Sequence, residues 1–147
     1  MRFLWLAIIA FSIAGPAQAD KYSACFRRAA QIYHLNACLL ETVGKQESHL
    51  NPNAIHKNLD GSYDIGIMQL NTRTIRNIHD PRLTREAIFD PCTNIYVGAW
   101  ILKQSIMRHG QTWSAVGYYN ASSQEKRHLY EQIIASKYVK YCQSEGN

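Results

Sequence analysis

A glutamate at the inner end of an apolar helical face is the residue of this sequence best placed for acid–base chemistry. Within "VGKQESHLNPNA", residues 43–54, Glu47 follows Leu40 and Val43 at helical spacing, so the three side chains share one face. A carboxyl group there is partly removed from water, which favours its neutral form and raises its pKa. A carboxylic acid that remains protonated near neutral pH can donate its proton to a leaving group such as a glycosidic oxygen. The pattern alone also fits an exposed glutamate at a fraying helix end.

Two later segments contain residues of the kinds that line a sugar-binding groove. They are "DIGIMQLN", residues 64–71, and "AVGYYNAS", residues 115–122. The candidate groove residues in these segments are Gly66, Met68, Gln69, Asn71, Tyr118, Tyr119 and Asn120. Ordinary structural roles also fit some of them, since Met68 and Tyr118 suit a core and Asn120 suits a helix cap.

Three short motifs in a fixed order resemble those of the soluble lytic transglycosylase family, which has a lysozyme-like fold. They are Glu-Ser at 47–48, Gly-Ile-Met-Gln at 66–69 and Tyr-Asn at 119–120, and the helical segment "NIYVGAWIL" lies between the second and third. The resemblance covers about residues 22–121. The small size, single domain and export signal are similar to specialised members that accompany type III secretion, type IV secretion and conjugation systems. The invasion-protein and VirB1-like members belong to that subgroup.

The resemblance implies a role for each residue of the first two motifs. Glu47 takes the place of the catalytic acid and base, and Ser48 is expected to donate a hydrogen bond to the sugar or to the acid. Gly66 would permit close approach of the backbone, and Met68 would supply an apolar wall. Gln69 would offer amide hydrogen bonds to an N-acetyl sugar or to the acid.

The remaining groove residues are expected to close the opposite side. By the same resemblance Tyr119 hydrogen-bonds or packs near Glu47, with Tyr118 beside it, and Asn120 holds the substrate. Asn71 is a substrate-binding candidate that also suits the N-cap of a helix.

Asp64 provides a second carboxylate and departs from the broad family pattern, in which many members have no acid at this position. Lysozymes use a second carboxylate across the cleft to stabilise positive charge or to attack the sugar carbon. We therefore include Asp64 with Glu47 as a catalytic candidate, while a hydrogen-bonded turn aspartate is the structural alternative. Asp60 ranks lower because Asp60-Gly61 is explained as a turn.

The resemblance implies cleavage of the β-1,4 bond between N-acetylmuramic acid and N-acetylglucosamine in peptidoglycan, with 1,6-anhydromuramyl ends as products. Two alternatives remain open. One is a lysozyme-like muramidase that hydrolyses the bond with Glu47 and Asp64, and the other is a non-catalytic, wall-binding scaffold of a secretion apparatus.

The first nineteen residues, "MRFLWLAIIAFSIAGPAQA", have the pattern of a secretory signal peptide. A basic start, an apolar run and a small-residue Ala-Gln-Ala site precede the expected cleavage before Asp20. This leaves residues 20–147 as one catalytic domain, and no other segment is long and apolar enough to span a membrane. We expect a monomer in the periplasm of a Gram-negative bacterium.

Charge and composition limit the partners. The chain has 16 Lys and Arg residues against 11 Asp and Glu residues, and without Arg2 the net charge is about +4. This balance suits either a polyanionic surface, such as cell wall or nucleic acid, or an ordinary solvated surface. The basic tail residues 126–140 are expected to be solvated, or to contact wall polymer or a secretion- or conjugation-system protein. The six histidines are scattered without a His-Glu-x-x-His motif, so we expect no metal. We also expect no cofactor and no nucleic-acid partner.

Four cysteines in an exported chain indicate two disulfide bonds. They are Cys25, Cys38, Cys92 and Cys142. Three pairings are possible. We expect Cys25–Cys142 and Cys38–Cys92, because the first bond would join the two ends of the domain.

The elements that must position these residues are nearly all helical. Periodicity and capping signals predict helices over 21–35, 37–49, 72–78, 91–109, 112–120 and 123–141. Asp80-Pro81 and Asp90-Pro91 both suit helix starts, and residues 50–63 are rich in turn signals. The fold class is mainly α, a small orthogonal lysozyme-like domain with a short β-hairpin near residues 60–70.

Overall fold

A computed structural model describes residues 21–120 and 123–143 of the chain, and the predicted signal peptide, residues 1–19, lies outside this part. The predicted mainly α class is confirmed, with a small antiparallel sheet. The α-helices are α1 Ser23–Tyr33, α2 Ala37–Ser48, α3 Thr72–Ile78, α4 Arg85–Phe89, α5 Pro91–His109, α6 Trp113–Asn120 and α7 Gln124–Tyr138. The strands are β1 Ile55–Lys57, β2 Tyr63–Ile65 and β3 Leu70–Asn71, and a π-helical segment, Val139–Gln143, follows α7.

Side-chain caps define where several helices begin. The side chain of Asn36 accepts a hydrogen bond from the backbone N–H of Leu39 at the start of α2. Asn71 caps α3, and Asp90 caps α5 with Pro91 at the first helical position. These caps satisfy backbone donors that have no partner inside the helix. The predictions of helices over 72–78 and 91–109 are confirmed.

The three strands form one antiparallel sheet in the order β1-β2-β3. In its register His56 pairs with Asp64, and Asp64 pairs with Asn71. Directly paired residues share a face of a sheet, so these three side chains form one row across it. The hairpin predicted near residues 60–70 is confirmed, whereas β1 lies within the segment predicted only as turns.

The core lies between α1, α2 and α5 and continues under the sheet. Phe26, Leu40, Val43 and Leu102 are all buried there. Two of these residues, Leu40 and Val43, belong to the apolar face that ends at Glu47. Burial of each large aliphatic side chain stabilises the fold by about 1.5–3 kcal/mol, so α2 is held firmly along this face.

One predicted helix start is wrong. No helix begins at Asp80-Pro81, because the Asp80 side chain instead accepts hydrogen bonds from the backbone N–H and the guanidinium of Arg82. This local arrangement holds a turn, as aspartate side chains commonly do. The next helix, α4, begins after Thr84, whose hydroxyl accepts a hydrogen bond from the N–H of Ala87.

The predicted disulfide pairing is also wrong. The bonds join Cys25 to Cys92 and Cys38 to Cys142, with Cα–Cα distances of 5.3 and 6.0 Å. The first bond ties α1 to the beginning of α5, against which α1 packs. The second ties the beginning of α2 to the π-helical segment. The pairing follows helix packing, which the positions of the cysteines along the chain do not reveal.

No helix within the described ranges combines the length and the apolarity required to cross a membrane.

Candidate active site

A cleft of about 950 Å³ lies between the sheet and the helices, and Glu47 lines it. The sheet side presents the row of His56, Asp64 and Asn71. The helical side includes Ile101, Tyr119 and Asn120. The cleft is open to solvent and polar on the sheet side, as a binding site for a hydroxyl-rich polymer would be.

Glu47 is in the last turn of α2, at the end of the apolar face formed by Leu40 and Val43. Its pKa is raised from 4.5 to about 7, chiefly because burial disfavours the charged carboxylate, with a further increase from the negative charge of Asp64. Hydrogen bonds from Tyr130 and Asn120 oppose this increase, since they stabilise the carboxylate. A carboxyl with a pKa of about 7 exists in both protonation states near neutral pH and can therefore donate and accept a proton.

Tyr130 contacts the acid directly and was not among the residues predicted from the sequence. Its hydroxyl donates a hydrogen bond to Oε1 of Glu47 from α7, and its side chain is buried in the core. Burial and the neighbouring Glu47 charge raise the pKa of Tyr130, so the phenol remains a proton donor in this pair. A signal was available, because Tyr130 and Ile134 lie four residues apart and form the buried stripe of a helix that looks mainly charged.

Tyr119 lies beside the acid on the helical side of the cleft and is anchored to the turn between β2 and β3. Its hydroxyl donates a 2.8 Å hydrogen bond to the backbone carbonyl of Met68. Burial, together with the negative charges of Glu47 and Asp64, raises its pKa well above 10. Tyr119 therefore packs near Glu47, as expected, while its only hydroxyl proton connects α6 to the turn between β2 and β3.

That turn is built around a buried asparagine, Asn94, which was not among the predicted site residues. Asn94 of α5 donates to the carbonyls of Ile65 and Ile88, and it accepts a 2.7 Å hydrogen bond from the N–H of Met68. Gly66 has a positive φ of 76°, and a Cβ at this position would lie 2.3 Å from the Asn94 amide. The close approach expected at Gly66 is therefore made by the Asn94 side chain.

Two other residues of the first two motifs support the turn and do not face the cleft. Met68 is fully buried and packs against Gly98, so it does not provide the expected groove wall. Ser48 donates its hydroxyl proton to the carbonyl of Ile67 at 2.8 Å, so that proton serves neither the acid nor a sugar. Both residues hold the turn in place next to Glu47.

Gln69, Asn71 and Asp64 do line the cleft. The Gln69 amide donates to the carbonyl of Gly66 at 2.9 Å, which fixes its side chain on the cleft wall. The Asn71 amide donates to Oδ1 of Asp64 at 2.7 Å and to the hydroxyl of Ser62 at 3.0 Å. Asn71 therefore caps α3 with its oxygen and orients the second carboxylate with its nitrogen.

Tyr118 does not line this cleft. Its ring stacks on His109, with centroids 3.7 Å apart, and it borders a second, smaller cavity. Successive residues of α6 point in different directions. Tyr119 therefore faces the cleft, and Tyr118 faces the second cavity.

Comparison with known proteins identifies the family. The family model described as the transglycosylase SLT domain matches residues 24–138, which is most of the chain. This chain belongs to the transglycosylase SLT domain family. It is a peptidoglycan lytic transglycosylase with the lysozyme-like fold of that family.

Relatives of similar length support the assignment of this transglycosylase. It is 33% identical over 138 residues to the invasion protein IagB of Salmonella typhimurium. The aligned residues cover 93% of this chain and 84% of IagB. It is 31% identical over 121 residues to protein IpgF of Shigella flexneri, which covers 79% of this chain and 80% of IpgF.

A solved structure shares the fold. The lytic transglycosylase Slt of Pseudomonas aeruginosa, determined as an inactive mutant in which a glutamate is replaced by glutamine, superposes with a TM-score of 0.69 at 23% identity. The superposition covers 85% of this transglycosylase but only 24% of the Slt chain, so this transglycosylase spans about a quarter of that protein.

That the site uses no metal ion remains a prediction. Within residues 21–120 and 123–143, no three His, Cys, Asp or Glu side chains are grouped so as to hold a metal ion. The polar groups near Glu47 in this transglycosylase are the hydroxyls of Tyr119 and Tyr130, the carboxylate of Asp64 and the amide of Asn120.

Proposed function

We propose that this transglycosylase cleaves the β-1,4 bond between N-acetylmuramic acid and N-acetylglucosamine and forms 1,6-anhydromuramyl ends. The observation that carries the proposal is the Glu47 carboxyl, which lines a cleft of about 950 Å³ and has a pKa raised to about 7. Few carboxyl groups retain their proton at this pH, and those that do are suited to general acid catalysis.

In the first step protonated Glu47 donates its proton to the glycosidic oxygen. The bond between that oxygen and the muramyl C1 breaks, N-acetylglucosamine leaves as an alcohol, and positive charge develops on C1. Glu47 is then a carboxylate, and the hydrogen bonds from Tyr130 and Asn120 stabilise this charged form. These bonds supply stabilisation as the negative charge appears, which is when it promotes the reaction.

In the second step the Glu47 carboxylate accepts the proton of the muramyl C6 hydroxyl. The C6 oxygen bonds to C1, the 1,6-anhydro ring closes, and Glu47 returns to its protonated form. No water is consumed. A pKa near the working pH suits one group to both transfers.

Asp64 is proposed to stabilise the positive charge on C1 across the cleft. Its carboxylate is oriented by Asn71, and its charge already acts on Glu47. The same arrangement favours a second candidate, hydrolysis by a lysozyme-like muramidase, because retaining glycosidases place a second carboxylate at the sugar carbon. The two reactions differ in whether the C6 hydroxyl or a water molecule reaches C1.

We further propose that the enzyme works in the periplasm and opens the wall locally for a secretion, pilus or conjugation apparatus. Support comes from the relative named an invasion protein and from the signal pattern of residues 1–19. A secretion- or conjugation-system protein is the expected partner, with the basic tail helix as its candidate contact.

The mechanism is tested by digestion of purified peptidoglycan and measurement of product masses. Wild type should give anhydromuramyl products, each one water lighter than a reducing end. Glu47→Gln should lower the rate by at least about a hundredfold, because an amide cannot donate the proton. Glu41→Gln is the matched control, since Glu41 is on the same helix but pairs with Lys45 outside the cleft. Full activity of Glu47→Gln would contradict the mechanism, and reducing ends alone would favour the muramidase.

A further inference from the structure

A second cavity of about 340 Å³ adjoins the catalytic cleft, and the proposed reaction does not use it. Thr74 and Ile101 line both spaces, so the two are neighbours along the surface between α3 and α5. A substituent on a polymer bound at this end of the cleft would therefore lie next to the cavity.

Flat aromatic surfaces form part of its walls. Trp100 contributes a half-buried indole ring. The Tyr118 ring is held by the parallel His109 ring at 3.7 Å, and the Arg127 guanidinium lies 4.1 Å from its centroid. A side chain fixed in this way offers a preformed surface, because little conformational freedom remains to be lost when a ligand binds.

The described residues that line the cavity include a cationic side chain and no anionic one. Arg108 lies at its edge, where its guanidinium is exposed and forms no ion pair or side-chain hydrogen bond within the described part of the chain. None of the described residues that line the cavity is Asp or Glu. An unpaired guanidinium beside apolar walls suits a ligand that combines aliphatic groups with a carboxylate.

We propose that this cavity binds the peptide branch that peptidoglycan carries on its muramyl sugar, with Arg108 contacting a carboxylate of the branch. The proposal rests on the proposed function, because the cleft must hold the glycan that carries the branch. The branch is a short peptide with both aliphatic and carboxylate groups, and the muramyl sugar is the one placed next to Glu47. The cavity would then favour substituted glycan over bare glycan.

The test measures binding in the Glu47→Gln background, so that cleavage does not interfere. Two soluble glycan fragments of equal length are compared, one with its peptide branches and one from which an amidase has removed them. Arg108→Gln removes the cation, and Gln104→Glu adds a repelling carboxylate to the cavity wall. Arg28→Gln is the matched control, because Arg28 is an exposed helical arginine that lines neither space.

The fragment with peptide branches should bind about three- to tenfold more weakly to Arg108→Gln and to Gln104→Glu, since a charge-assisted contact is lost or repelled. The bare fragment should bind all variants equally. Equal losses for both fragments would indicate a structural role of Arg108 at the end of α5 and would overturn the proposal, as would no loss at all. Failure of the proposed function is a separate result, namely that active wild type releases no anhydromuramyl products from either glycan.

Discussion

The Tyr130 hydroxyl donates a hydrogen bond to Oε1 of Glu47, although the two residues are 83 positions apart in the chain. The site thus requires both α2, the helix that carries the acid, and α7, the helix that carries the hydrogen-bond donor. Burial raises the pKa of Glu47 and the Tyr130 donor lowers it, and the balance is about 7. Without the donor the acid would remain protonated at higher pH and would be a weaker proton donor in the first step.

Tyr130→Phe should therefore raise the pKa of Glu47 further. A hydrogen bond to a charged group contributes about 1.5–3 kcal/mol, which corresponds to an increase of about one to two pH units. The alkaline limb of the pH–rate profile, where Glu47 loses its proton, should move upward by this amount. The rate at pH 7 should fall, because a weaker acid donates its proton more slowly. Tyr138→Phe is the control, because Tyr138 is on the same helix and accepts a hydrogen bond from Asn36 outside the cleft. An unchanged profile would mean that Tyr130 does not set the pKa.

The raised pKa of Glu47 should also appear in the stability of the protein. Because the folded pKa of about 7 exceeds the unfolded value of 4.5, the folded state favours the protonated form. The associated stability is present below pH 4.5 and is lost as the pH rises through 7. Glu47→Gln lacks this titration, so its free energy of unfolding should exceed that of wild type by about 2–3 kcal/mol at pH 8, with a much smaller excess at pH 4.

Urea unfolding of both proteins at pH 4 and pH 8 measures this difference. Glu41→Gln again serves as the control, and its difference from wild type should not follow the same pH dependence. A Glu47→Gln excess that is equal at the two pH values would show that Glu47 titrates normally in the folded state.

The parts of the fold that follow from local signals were predicted from the sequence. Helix α5 has the predicted bounds, because Pro91 starts it and an apolar repeat extends to His109. The Asn71 cap of α3 is equally local. Asp80-Pro81 shows the limit of such signals, since the same residues that can start a helix also hold a turn, and the Arg82 contact decides between the two.

The parts of the site that depend on distant contacts were not predicted. Asn94 looks like an ordinary helical residue until α5 packs beneath the β2–β3 turn, where its amide satisfies three backbone groups. Tyr130 appears within a charged helix, and only the packing of α7 on α2 brings it to Glu47. Met68 was assigned to the cleft because of its motif, but the turn directs its side chain into the core.

Asp64→Asn should change both the rate and the pKa of Glu47. The negative charge of Asp64 raises the pKa of Glu47, so its removal should shift the alkaline limb of the pH–rate profile, where Glu47 loses its proton, to lower pH. Loss of the charge that we propose stabilises C1 should lower kcat by about ten- to a hundredfold. Asn retains the shape of the side chain, and Asp80→Asn controls for removal of an acid outside the cleft. A rate close to that of wild type would exclude Asp64 from the reaction.

The two disulfide bonds should have similar effects on stability but different effects on activity. They separate cysteines by 67 and 104 residues, and loops of this length are each expected to contribute about 4–5 kcal/mol. Cys38–Cys142 also anchors the segment after α7, the helix that carries Tyr130, whereas Cys25–Cys92 joins α1 to α5 away from the acid. Replacement of Cys38 and Cys142 by serine should therefore lower the activity of the folded fraction and raise the pKa of Glu47, because the Tyr130 contact loosens.

The matched variant replaces Cys25 and Cys92 by serine and should retain wild-type activity per folded molecule. Activity is measured at a temperature at which both variants are folded, as judged by their circular dichroism. The contacts of α7 that do not involve the disulfide, such as Lys137 to Gln46 and Asn36 to Tyr138, remain in both proteins. If both serine variants lose activity equally, the second disulfide serves the fold alone, and α7 does not need it to hold Tyr130 against Glu47.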